Sequence, residues 1–150
     1  EDLPRRFGGP QTPFRIVVAH HPFIADSAPD LDRRGRTLVR RAKVALASFA
    51  HSRVDAVLAG HLHRTYTAAF TREIDGHTVT AIQAGTALSS RVRGEPNSFN
   101  HIEIDDDAMT VAAVTLEGSG GWRRQSTAVT IRGTAGGSNS VSAGSGAFQS

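Results

Sequence analysis

The apolar residues change period along the chain, and the changes mark its elements. Residues 14–19 (Phe14, Arg15, Ile16, Val17, Val18, Ala19) are almost continuously apolar, the pattern of a short strand covered on both faces. Residues 23–35 hold Asp26, Pro29, Asp30 and Asp32 without periodicity, which predicts a loop. From 36 to 51, Leu38, Val39, Ala42, Ala45, Leu46, Phe49 and Ala50 recur at spacings of three and four. Arg36, Arg40, Lys43 and Ser48 fall largely on the opposite side, so an amphipathic helix is expected. Residues 54–59 repeat the continuous apolar pattern and predict a second buried strand. Beyond Gly60 the pattern turns to β. Residues 65–74 and 77–84 flank Asp75-Gly76, a strong hairpin signal. Residues 100–105 and 109–116 are expected to pair across Asp106-Asp107, and a weaker strand at 127–131 follows Trp122.

The two ends have a different composition. Residues 1–13 carry three Pro and a Gly8-Gly9 pair and read as a connector. In residues 133–150, thirteen of eighteen positions are Gly, Ser or Ala. Such a tail cannot bury enough apolar surface to offset its ordering entropy and is expected to be disordered. The folded part is therefore expected at 14–132. The chain begins at Glu1 and its single Met is Met109, from which we expect a processed or truncated product.

Composition removes several function classes. With no cysteine among 150 residues there is no disulfide framework, thiolate zinc site or cysteine nucleophile. No apolar run reaches the roughly 18 residues of a membrane-spanning helix. The formal charge is +3, and the basic residues (all Arg except Lys43) are interleaved with acids, so nucleic-acid binding is not indicated. The densest basic cluster, Arg33, Arg34, Arg36, Arg40 and Arg41, reads as a solvated helix face. No serine stands in a nucleophile elbow. The compartment defaults to the cytoplasm.

The histidines are informative because of where the elements put them. Strand, helix and strand over residues 14–59 make a βαβ unit with parallel strands, and open α/β sheets bind ligands beyond the carboxyl ends of their strands. His20 follows the first strand; His61 and His63 follow the second. Three imidazoles, the commonest side-chain metal ligands, are thus delivered to one sheet edge, and the His61/His63 spacing is expected to aim both rings into the same space. Of the others, His51 is expected at the helix end, and His77 and His101 as exposed strand residues.

Val17-Val18-Ala19-His20-His21-Pro22 followed by Ala59-Gly60-His61-Leu62-His63 resembles the last two signature blocks of the calcineurin-like metallophosphoesterases, a strand ending in His-x-Pro and a Gly-His-x-His turn. Ala84-Gly85-Thr86, Arg91-Val92-Arg93 and Asn97-Ser98-Phe99-Asn100 also resemble the closing strands of that family, so the likeness runs over residues 14–116. It implies an α/β fold, the C-terminal part of a four-layered α/β/β/α sandwich, with a βαβ unit followed by antiparallel strands. It further implies hydrolysis of phosphomonoesters or phosphodiesters by a hydroxide bridging two divalent metals, for which Mn, Fe or Zn suit the donor types. Matched by position, His20 and His61 would share one metal and His63 would bind the other. His21 is not a ligand in that pattern and is placed behind the ligands or on the substrate side.

The family's Asp-x-His, Gly-Asp and Gly-Asn-His blocks lie before the His-x-Pro strand, and none occurs ahead of it here; Asn97, Asn100 and Asn139 are all downstream. Three imidazoles alone do not offset the repulsion of two close divalent ions. The expected partner is therefore the missing N-terminal half of the same domain; the isolated chain is expected to bind at most one metal, weakly, and to be incomplete as an enzyme, with little or no activity of its own. Arg91 and Arg93 alternate along an extended segment and are candidates for holding a substrate phosphate; two solvated loop arginines are the plainer alternative. The loop at 23–35 is either a substrate gate or a connector. A barrel amidohydrolase, with about 250 residues of alternating βα units, does not suit the hairpins after His63. A truncated or degenerate non-catalytic binding module is the remaining alternative.

Overall fold

Two apolar runs pair first. In the computed structural model, which describes residues 14–25, 38–90, 94–106, 108–132 and 141–143, β1 (Ile16–Ala19) lies parallel to β2 (Ala56–Ala59), with Ile16 opposite Ala56 and Ala19 opposite Ala59. β3 (Tyr66–Thr71) and β4 (Thr78–Gln83) follow; β4 runs parallel to β2 and β3 antiparallel to β4. The strand order is β1-β2-β4-β3. Every residue of β4 is buried, whereas edge strand β3 alternates half-buried and exposed positions, as interior and edge strands of a layered sheet should.

One face of this sheet carries α1 (Ala42–His51), whose Leu46, Phe49 and Ala50 pack with Phe23, Val54, Val57 and Val79. The other face meets a second, antiparallel sheet of β5 (Ser98–Ile104), β6 (Ala108–Leu116), β7 (Trp122–Arg132) and β8 (Val141–Ala143) in sequential order. Met109, Val111 and Ile131 of that sheet close on Ala56 and Ile82 of the first. The fold is α/β, and its described layers are helix, mixed sheet and antiparallel sheet. A helical layer over the far side of the second sheet is not found among the described residues. No described helix is long and apolar enough to cross a membrane.

Several boundaries differ from the sequence reading. The helix begins at Ala42 rather than Arg36: the Val39 N–H donates to Pro22 O (2.9 Å), and Arg41 has φ 61°, which is not helical. The Asp75-Gly76 turn is part of a longer connection spanning 72–77. There Arg72 N–H bonds His77 O, Gly76 N–H bonds Arg72 O, and Gly76 takes φ 69°. Asp75 organises this connection by accepting from the Arg72 guanidinium and the His77 N–H and pairing with Arg53 (3.0 Å). His77 is fully buried, not exposed, with Nε2 2.8 Å from Val54 O. The expectation assumed a two-faced hairpin, but β4 is an interior strand covered on both sides. The weak strand at 127–131 is the far half of β7, which opens at Trp122 and passes a bulge opposite residues 112–114. In the tail, expected to be disordered, Val141–Ala143 forms β8 against Val129–Ile131. The rest of the tail and residues 1–13 lie outside the described residues. His51 ends α1 and His101 is exposed on β5, as expected.

Ile82, 2% exposed between the sheets, should lose about 2–5 kcal/mol of stability on truncation to Ala, read as a lower urea midpoint, while Ile74→Ala at an 85% exposed turn position should leave it nearly unchanged. The Asp75 carboxyl is held well below the usual carboxylate range, chiefly by the Arg72 hydrogen bond, then by the His77 N–H and the charges of Arg53 and Arg72, against desolvation. A carboxyl pKa lowered by folding stabilises above the ordinary value of about 4 and loses that contribution as pH falls towards the folded value. Asp75→Asn should therefore flatten the acid side of a melting-temperature profile below about pH 4.

Candidate functional site

Parallel pairing places the residues after β1 and β2 side by side. Gly60 N–H donates to His20 O (3.2 Å), continuing the ladder one step beyond both strands. Both chains then turn away. On the first, Pro22 follows His21 and cannot supply a ladder donor. On the second, Leu62 N–H donates to Gly60 O (2.8 Å) around His61 at φ 71°, a γ-turn centred on a non-glycine residue. His63 also has positive φ, 57°. Backbone of this kind is uncommon for residues with a Cβ and is held only where surrounding bonds fix it.

The turns bring three imidazoles together. His20 Nε2 lies 3.0 Å from His61 Nδ1. Ring centroids are 4.7 Å apart for His20 and His21, 4.9 Å for His20 and His61, and 4.1 Å for His21 and His61. One ring nitrogen from each of the three lies within 4.8 Å of the other two. Metal–nitrogen bonds of about 2.0–2.1 Å put two ligand nitrogens on one ion about 3–4 Å apart, so the trio reaches a shared ion with less than about 1 Å of ring movement. An imidazole ligand brings no negative charge to an ion, and His20 and His21 are exposed; a divalent ion held there would keep its full charge facing solvent and any anion that approaches. No carboxylate joins the trio among the described residues. The donor set therefore fits one divalent ion and does not fit two.

Of the residues singled out from sequence, His20 and His61 meet. His21, expected beside the ligands, is a member of the trio. His63, which the resemblance assigns to a second metal, is outside the trio and, like His61, has positive φ. Arg91 and Arg93 lie outside the described residues, as does most of the loop at 23–35. The described start of that loop is tied down by the Tyr66 hydroxyl, which donates to Ile24 O (2.8 Å).

Sequence reading passed over the residues that hold the turn from behind. Glu95 accepts from Arg64 Nε and Thr65 N–H, each at 2.9 Å, and so fixes the chain just after His63. Thr65 Oγ1 and Ser98 Oγ share a hydrogen bond of 2.8 Å, packed so tightly against Gly85 that a Cβ there would collide with both hydroxyls. Gln83, the last residue of β4, is 2% exposed and donates from Nε2 to Gly60 O and to Ala84 O. The only signal in sequence was a long polar residue closing an otherwise buried strand.

Similar solved structures include two of one protein. A double mutant of Vps29 from Entamoeba histolytica is 24% identical with a TM-score of 0.38, over 61% of this chain and 47% of that one. A single mutant of the same protein is 23% identical with a TM-score of 0.37, over 68% and 52%. The chain thus spans about half the length of the solved structures it matches. No protein-family model matches the chain, and no curated protein matches it.

Titration with Co²⁺ should give one ion per chain. Substituting any one of His20, His21 or His61 with Ala should weaken binding at least about tenfold, with His63→Ala near wild type. A loss confined to His20, His61 and His63 would instead favour the set implied by the motif resemblance.

Proposed function

We propose that this chain supplies the histidine side of a divalent-metal site that hydrolyses phosphoesters. The observation that carries the reading is the convergence of His20, His21 and His61 at the carboxyl edge of parallel strands. It is supported by the resemblance of the His-x-Pro strand and the Gly-His-x-His turn to the calcineurin-like metallophosphoesterases. His20, His21 and His61 would hold the ion; when bound, it supplies Lewis acidity towards a phosphoryl oxygen. The residues of the chain orient that chemistry. The γ-turn sets His61 against His20, and the exposure of His20 and His21 lets an anion approach the trio from solvent. The two-ion arrangement of the resemblance needs carboxylates to bridge and neutralise the pair, and its Asp- and Asn-bearing blocks stand upstream in the family pattern. Arg91 and Arg93 are retained as candidate phosphate-binding residues.

A second reading, a non-catalytic binding module, draws on the lack of a carboxylate in the trio among the described residues. A chromogenic phosphodiester and Mn²⁺ separate the two. Slow, Mn²⁺-dependent turnover that His61→Ala lowers by at least about tenfold is the expected result. Metal binding without turnover selects the binding module, and turnover indifferent to both Mn²⁺ and His61→Ala overturns the hydrolytic reading.

A further inference from the structure

We infer that Gln83 is the positioning residue of the histidine turn, its carboxamide clamping the Gly60 peptide and thereby setting where the His61 ring stands. The Gly60 carbonyl and the His61 N–H belong to one rigid peptide plane. The φ of His61, 71°, is a rotation about the bond that leaves that plane. Whatever fixes the plane fixes the direction in which the His61 ring swings towards His20. Two donors hold its oxygen: Leu62 N–H closes the γ-turn from within, and Gln83 Nε2 reaches it from the neighbouring strand. The preceding peptide is held as well, by Gly60 N–H on His20 O. Gly60 is thus gripped on one side by the strand end that bears His20 and on the other by the last residue of β4.

The chemistry of the carboxamide fits this task. Both of its near neighbours, Gly60 O and Ala84 O, are acceptors, so the NH₂ end has to face them. Oε1 is left buried with no hydrogen-bonding partner among the described residues, a cost that a methionine of similar length would not carry. What methionine would lack is the donor. The clamp is itself braced: Asn100 Nδ2 donates to Gln83 O (3.2 Å) from the second sheet, and Ala84 N–H bonds Ala59 O (2.8 Å). Three strand ends, of β1, β2 and β4, are therefore tied together at the edge where the imidazoles meet.

Gln83→Met tests the clamp without any metal. Amide hydrogen exchange at Gly60 should speed up by about tenfold, and the ring ¹⁵N shifts of His20 and His61 should change, while the amides of Val57 and Ile82 keep their protection. Unchanged exchange at Gly60 with unchanged ring shifts overturns the proposal, as does acceleration spread equally over Val57 and Ile82. In wild type, the Gln83 side-chain NH₂ should be exchange-protected and show a nuclear Overhauser contact to Gly60 Hα; freely exchanging protons without that contact overturn the proposal even if the variant does not fold. A second arm rests on the metal reading above: Gln83→Met should weaken Co²⁺ binding by about tenfold and alter its visible spectrum. If wild type binds no Co²⁺, the metal reading fails, and the exchange and ring-shift results still decide the role of Gln83.

Discussion

Parallel pairing of β1 with β2, in a register that sets Ala19 beside Ala59, governs the rest of the molecule. Two four-residue strands with so few polar side chains need apolar cover; interior β2 opens on fully buried Ala56 and Val57, whereas β1, whose apolar run predicted cover on both faces, is an edge strand of half-buried residues with Val18 77% exposed. The coverings are what the remainder of the chain provides: Leu46, Phe49 and Ala50 of the helix on one side, and Met109, Val111 and Ile131 of the antiparallel sheet on the other. The same register determines which residues leave the sheet together. A slip by one position would put His20 beside a residue other than Gly60, and the bond from Gly60 N–H to His20 O would not form.

The legible and illegible parts of the sequence divide along physical lines. Continuous apolar runs revealed β1 and β2, the three- and four-residue spacing revealed the body of α1, and the βαβ rule placed His20 and His61 at one edge. These signals are local or follow from handedness, so a single sequence carries them. What escaped depends on neighbours distant in sequence. His77 reads as a solvent-facing hairpin residue until β2 is known to lie alongside β4, which turns an edge into an interior. The start of α1 was misplaced because Val39 bonds Pro22 O, a contact across a loop. The positive φ of His61 and His63 was equally out of reach, because such dihedral angles are not written in residue type unless glycine marks them.

The backbone at this edge also shows how a fold distributes conformational cost. His61 and His63 both take positive φ, each at a cost of order 1–3 kcal/mol. Hydrogen bonds donated by Gly60, Leu62 and Gln83, and those that Glu95 accepts from Arg64 and Thr65, surround the segment, and β4 beside it is buried. The restraint is thus concentrated on one short turn, while His20 and His21, which meet it, are exposed to solvent.

His20 and His61 are 41 positions apart in the chain. In an unfolded polymer, two such sites meet rarely, and the entropy of closing the intervening loop rises with the logarithm of its length. Here the β1–β2 ladder has already closed that loop before any ligand arrives. An ion bridging the two rings would then act as a second staple across a junction the backbone has made, binding the native chain and not the random coil. Its occupancy and the integrity of the ladder become one linked equilibrium: whatever frays the end of β1 or β2 lowers affinity, and whatever fills the site makes that fraying rarer.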